Sequence, residues 1–252
     1  MYPATNTMYE LQVRPRGRSS ADEYYHSGAT WIEGREGSTY TIYVRNNSAV
    51  RIEAVISVDG LDVLQGKPAG VNSRGYVINP NSSVEIPGWK LNNREAAEFY
   101  FSRKHDSYVT QINGDVSNTG VIGVMIFSEQ VLPNWLYPGA ASATTYSTNT
   151  AMSPNVINVS ASIAGAGQYT AHAVNNLGTG FGNAVDYSTH GMTFNRQNPS
   201  TPDAVMVVYY DTADALKRMG IQLRTKRYSS TPNPFPAGGT DNGCVPPLSW
   251  VK

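Results

Sequence analysis

Residues 38–60 read S-T-Y-T-I-Y-V-R-N-N-S-A-V-R-I-E-A-V-I-S-V-D-G, and this stretch decides the fold class. Within 38–45, Tyr40, Ile42 and Val44 alternate with Thr41, Tyr43 and Arg45. That is the period of a strand with one face in a core, built from residues that suit a pleated surface. Asn46-Asn47 then supplies a turn. Residues 52–58 place Ile52, Ala54, Ile56 and Val58 on one side and stop at Asp59-Gly60. Asp-Gly is a hairpin dipeptide, because both of its residues tolerate the positive φ of a tight turn. The stretch therefore predicts two strands, the second ending in a hairpin-type turn.

The same period spreads outward in both directions. Tyr9, Leu11 and Val13 share a face, and short strands are expected at 75–79 and 83–86 around Asn79-Pro80-Asn81, with Pro87-Gly88 as a stop. Asn92 with Glu95 three residues on reads as the cap of one helical turn. Phe99, Tyr100 and Phe101 favour a strand, and V-I-G-V-M-I-F at 121–127 fits a strand buried on both faces. Later, A-V-M-V-V-Y-Y at 204–210 is a strand. It is followed by a helix over 211–219, with Asp211 as N-cap, Lys217 and Arg218 in the last turn and Gly220 as C-cap. Residues 221–223 are expected to form a short strand.

Composition supports a chain of short strands. Charged residues are only 15% of the chain, against roughly 25% in typical soluble domains. The 23 glycines and 15 prolines suit many tight turns and disfavour a helix bundle. The expected fold is mainly β: an antiparallel β-sandwich, jelly-roll or Ig-like, with one short helix and extended N- and C-terminal arms. The expected boundaries are an N-terminal arm at 1–22, a β-sandwich domain at 23–131 and a linker or long loop at 132–165. A smaller β/α part at 166–230 packs on the sandwich, and a Pro/Gly-rich tail occupies 231–252.

Charge and cysteine content narrow the function. Nineteen basic and 19 acidic side chains cancel, so there is no basic surplus for neutralising phosphates, and no direct nucleic-acid partner is expected. Arg14, Arg16 and Arg18 read as part of an exposed polar arm. The single cysteine, Cys244, excludes an intrachain disulfide and a cysteine-based zinc cluster. No apolar run approaches the length of a membrane span, and 1–10 lacks the pattern of a leader peptide. Synthesis in a cytoplasm is the expectation.

Candidate chemistry fails on spacing or context. Gly178, Gly180 and Gly182 in L-G-T-G-F-G-N miss the dinucleotide fingerprint, since the third glycine comes one position early and no helix follows. They read as a turn with positive φ or as a close backbone approach. His26, His105, His172 and His190 show no ligand spacing. Asp59 and Asp62 flank a turn but lack the further oxygen ligands of a calcium loop. Ser162 and Ser188 lack a nucleophile elbow, and Cys244 has no visible activating partner. Glu33 and Glu36 are the acid pair that a glycosidase reading would use. No catalytic residue, cofactor or metal ligand is assigned.

Aromatic residues carry the stronger hint. Sixteen tyrosines and four tryptophans exceed the needs of a small core, and tyrosine gives contact area at low entropic cost. Tyr24, Tyr25, Trp31, Trp135, Tyr137, Phe235 and Trp250 fall in expected loops or in the tail and form the candidate interaction surface.

Several segments also share an order: E-Y-Y-H-S-G-A-T-W-I-E-G-R-E-G-S-T-Y at 23–40, V-I-S-V-D-G-L-D-V-L-Q-G-K-P-A at 55–69, R-G-Y-V-I-N-P at 74–80, I-P-G-W at 86–89, T-G-V-I-G-V-M-I-F at 119–127, L-G-T-G-F-G at 177–182 and V-V-Y-Y-D at 207–211. The chain resembles a family of uncharacterised proteins of bacteria and tailed bacteriophages across most of 23–223. D-G-L-x-V-x-x-G-K-P-A and R-G-Y-V are its most specific parts. The resemblance implies no reaction, cofactor or catalytic residue. It does imply a virion component: a structural protein, whether capsid decoration, collar or tail-associated. Such a protein acts by adhesion to other virion proteins in a homo- or hetero-oligomeric assembly. The alternative is a carbohydrate- or cell-surface-binding module whose Trp31 or Trp135 stacks on a glycan, and a hydrolase is the third reading.

Overall fold

The computed structural model describes residues 8–114, 116–131 and 175–224. In chain order the strands are β1 (Tyr9–Pro15), β2 (Glu23–His26), β3 (Ala29–Glu33), β4 (Thr39–Asn46), β5 (Ile52–Val58), β6 (Leu61–Asp62), β7 (Tyr76–Ile78), β8 (Ser82–Ile86), β9 (Gly88–Lys90), β10 (Glu95–Arg103), β11 (Val121–Ser128), β12 (Leu177–Asp186) and β13 (Ala204–Asp211). Two short helices complete the described residues, α1 (Tyr108–Asn113) and α2 (Ala213–Arg218), with a 3-10 turn at Lys104–Asp106 ahead of α1. No helix among the described residues is long and apolar enough to cross a membrane.

The strands form two sheets. The first runs β1-β4-β10-β12, with β8 on β4 and β9 on β10. The second runs β2-β3-β13-β11-β5-β6, with β7 on β5. Pairing is antiparallel except that β13 lies parallel to β3. The alternation read in 38–60 sets the register. Leu11 of β1 opposes Val44 and Val13 opposes Ile42, and all four are buried. β1 is thus a sheet member, and the described part of the expected N-terminal arm carries it. Arg14 lies over the Tyr43 ring at 3.5 Å and pairs with Glu85, while Arg18 pairs with Asp22.

Two hairpins turn on two residues each. Asp59 and Gly60 take φ of 51° and 81° between the paired Val58 and Leu61. Ser27 and Gly28 take 49° and 84° between His26 and Ala29. The second hairpin converts the expected loop around Tyr24, Tyr25 and Trp31 into β2 and β3. Its signal was the Ser-Gly dipeptide between Tyr-Tyr-His and Ala-Thr-Trp-Ile.

The two sheets share one core. Leu11, Ile42 and Phe99 of the first meet Ile56, Ile122, Val124, Met206 and Tyr210 of the second in a single buried cluster. Leu177, Met206, Val208 and Tyr210 belong to that cluster, and 175–211 supplies strands to both sheets. The rings of Trp89, Phe99, Tyr40, Phe101 and Tyr210 follow one another at 4.5 to 5.4 Å between centroids. These separations suit offset or edge contacts between aromatic rings. β11 sits between β5 and β13 with Ile122, Val124 and Ile126 buried. Val121, Gly123 and Met125 on its other face are only half-buried, so it is not enclosed on both faces as expected.

Three further expectations change. Asn92 does not start a helix. Its Oδ1 accepts from the Arg94 and Glu95 amides at 2.7 and 3.1 Å, closing a turn into β10. The helix after β13 begins later than expected. Thr212 is its N-cap, accepting from the Ala215 amide at 3.2 Å, and Asp211 ends the strand. Gly220, at φ 87°, ends the helix with the Ile221 amide donating to the Leu216 carbonyl at 3.0 Å. This is the Schellman pattern, and it packs Ile221 with Leu216 instead of forming a strand.

The glycines of 178–182 form neither a phosphate loop nor a turn. They lie within β12, none with positive φ. A Cβ on Gly180 would stand 2.1 Å from the Tyr100 ring directly across the pair, so the missing side chain admits that ring. Gly88 is tighter still, since its Cβ would stand 1.8 Å from the Ala97 carbonyl oxygen, while Gly70 has open space. Gly88→Ala is expected to lower unfolding stability by at least about 2 kcal/mol, and Gly70→Ala to change it by less than about 0.5 kcal/mol. Urea denaturation of both variants measures the contrast.

Candidate functional site

The deepest polar constellation is built on the Asp59-Gly60 turn. The turn ends β5 and directs the Asp59 side chain inward, where the residue is only 1% exposed. Its Oδ1 accepts from the Gly120 amide at 2.8 Å and from the Tyr210 hydroxyl at 2.6 Å. Its Oδ2 accepts from the Thr179 amide at 2.6 Å. Thr179 Oγ1 lies 2.7 Å from the Tyr210 hydroxyl and 2.6 Å from the Tyr40 hydroxyl. An ionised carboxylate only accepts, so the donors run in one direction. Tyr40 donates to Thr179, Thr179 to Tyr210 and Tyr210 to Asp59. Asp59 and Tyr210 belong to the second sheet, Thr179 and Tyr40 to the first.

Burial pushes the Asp59 carboxyl up to about 6, against the pull of the Tyr210 hydroxyl and of the Thr179, Gly120 and Val121 amides. Burial, then the charge of Asp59, pushes both the Tyr40 and Tyr210 hydroxyls well up. Asp62, on β6, is raised by burial, opposed by the Leu64 amide, which it binds at 2.7 Å, by the Ser73 side chain and by the Gln65 amide. Three of the four oxygens that a calcium reading would have offered, both of Asp59 and Oδ1 of Asp62, thus accept from main-chain amides. Asp211 is raised by burial too, and its Oδ1 accepts from the Thr212 and Asn176 amides at 2.7 and 3.2 Å.

A second polar cluster straps 187–203 to the second sheet. Arg196 Nε donates to Glu53 at 2.6 Å, its Nη2 donates to the Ser73 carbonyl at 2.7 Å and its Nη1 donates to the Val71 carbonyl. The guanidinium also lies 3.7 Å from the centre of the Phe127 ring, so both its edges and its face are used.

At the β2 edge an open cleft of about 300 Å³ lies between Glu23, Tyr24, Tyr25 and His26 on one side and Gly220, Ile221, Gln222 and Arg224 on the other. The Arg224 amide donates to the Tyr24 hydroxyl at 3.0 Å. Glu23 is raised by burial and then by the charge of Glu10. This cleft gathers two of the seven expected interaction residues, and Tyr25 is 60% exposed.

Trp31 is a correction. It is 8% exposed, packed against the tilted Tyr209 ring at 5.1 Å between centroids and covered by Leu216 and Ile221, so it is not a surface aromatic. Trp135, Tyr137, Phe235 and Trp250 lie outside the described residues, as do His172, Ser162 and Cys244. Glu36 pairs with Arg103 at 2.8 Å. No group of three His, Cys, Asp or Glu is gathered for a metal among the described residues.

Comparisons with protein families, with characterised proteins and with solved structures find no match to this chain. The assignment of roles therefore rests on the geometry. Thr179→Val keeps the shape and the Asp59-bound amide but removes the hydroxyl shared by Tyr40 and Tyr210. It is expected to cost about 2 to 4 kcal/mol, because buried hydroxyls lose partners. Chemical denaturation against the wild type measures it.

Proposed function

We propose that this chain is a structural protein of a bacteriophage particle, a capsid decoration, collar or tail-associated component that works by adhesion to neighbouring virion proteins. In this reading the two sheets stack as a β-sandwich of the jelly-roll or Ig-like kind and serve as a rigid body. The observation that carries it is the use made of the buried acid. Asp59 is surrounded by neutral donors from both sheets, so the most perturbed constellation among the described residues spends its hydrogen bonds on cohesion. A catalytic carboxyl needs access to a reacting atom, and Asp59 is buried. The family resemblance of 23–223 supplies the phage setting, and the low charge suits a protein that spends its life assembled.

The cleft at the β2 edge favours a second reading, a carbohydrate-binding module. Its wall carries an exposed tyrosine ring beside Glu23, Gln222 and Arg224, the mix of a stacking face and polar groups that sugars engage. Here Tyr25 takes the place expected of Trp31.

Mass spectrometry of purified particles of the encoding phage is expected to find this chain at stoichiometric level, and its absence overturns the virion reading. On a glycan array, binding lost in Tyr25→Ala moves the assignment to the second reading.

A further inference from the structure

We propose that Asp59 and its hydroxyl chain form a one-proton clasp that grips β12 to the second sheet more tightly in mild acid than at neutral pH. The clasp sits where the sheets are joined. Asp59 ends β5 in the second sheet, and both its Oδ2 contact and the Thr179 hydroxyl reach across to the first. Tyr210 of β13 and Tyr40 of β4 are the titratable groups that face it through this chain. The Gly120 and Val121 amides also face it, and the Ser107 side chain lies, like Asp59 Oδ2, against Gly178. Nearby acids on adjoining strands point their hydrogen bonds elsewhere, Asp62 to Leu64 and Asp211 to Thr212 and Asn176. The carboxylate is therefore held out of water by neutral dipoles alone, an arrangement that favours the protonated form.

The hydroxyl chain can accept either state without moving a heavy atom. When Asp59 is ionised, donors run from Tyr40 to Thr179 to Tyr210 to Asp59. When it takes a proton, the main-chain amides around it can only donate, so the acid must donate to the Tyr210 oxygen. Tyr210 then donates to Thr179, and Thr179 to Tyr40. Each link in the chain reverses, and only the terminal Tyr40 proton gives up its acceptor. One proton is taken up, and no bond between heavy atoms forms or breaks.

The sign of the effect follows from linkage. The folded carboxyl titrates near 6 and the ordinary aspartate near 3.8, so between these values the folded chain holds more protons than the unfolded one. Stability from this group therefore rises as pH falls through about 6, and the gain is complete below the unfolded value. Between pH 7.5 and 5 the contribution is about tenfold in the unfolding equilibrium constant.

Carbon-13 NMR of the Asp59 carboxyl carbon tests the proposal. The expected result is one aspartate that titrates near 6 in the wild type and disappears in Asp59→Asn. Tyr210→Phe removes a donor to the ionised form and an acceptor from the protonated form, and the bond to the charged form is the stronger, so the midpoint is expected to move higher, which a merely structural role would not produce. Denaturant unfolding at pH 5 and 7.5 is expected to show the tenfold gain in acid in the wild type relative to Asp59→Asn. If that variant does not fold, the Tyr210→Phe midpoint decides. An Asp59 carboxyl that stays ionised down to pH 4.5, or a midpoint unmoved in Tyr210→Phe, overturns the clasp.

Discussion

Strands of both sheets meet on the carboxylate of Asp59, a buried charge held by neutral donors. A carboxylate in a low-dielectric interior is tolerated only when its lone pairs are filled. Asp59 obtains donors from Gly120, Thr179 and Tyr210, residues 61, 120 and 151 positions away in the chain. Those three contacts fix the start of β11, the buried half of β12 and the end of β13 relative to one turn. The aromatic rings then pack outward from the same point, Tyr210 against Phe101, Phe101 against Tyr40 and Tyr40 against Phe99. Polar satisfaction sets the position of the strands, and apolar burial fills the space between them.

Parts of this were legible in the residues. The alternation in 38–60 identifies β4 and β5 to within a residue, and Asp59-Gly60 identifies the hairpin. What no local pattern reveals is that the acid at that turn faces inward, because acids in hairpin turns ordinarily face water. Its three partners are distant in sequence, so their meeting is a property of topology. The one local trace lies in 204–210, where the face carrying Met206 and Val208 also carries Tyr210, which put that hydroxyl in the core.

The misreadings share a physical origin. Trp31 looked like a loop aromatic because β2 and β3 are short, and because α2, which covers it, comes almost two hundred residues later in the chain. Of the two readings of the β12 glycines, a turn with positive φ and a close approach, the structure bears out the close approach. Here the relevant property is the absent Cβ, which lets Tyr100 lie on Gly180 and Ser107 approach Gly178. α1 is short and has few buried residues, so it left little periodic signal.

The parallel pairing of β13 with β3 has a consequence for how the protein comes to exist. β13 is inserted between β3 and β11, two strands made long before it. While residues 1–200 are emerging from a ribosome, the middle of the second sheet is an open slot and its neighbours have no partner along those edges. The acid in the Asp59 turn waits for Thr179 and Tyr210 from the same late region. Cooperative folding of this sheet therefore follows synthesis of β13, and the nascent chain carries unpaired edges during that delay. The interval before the slot is filled is the period in which another copy of the chain can compete for the same edge.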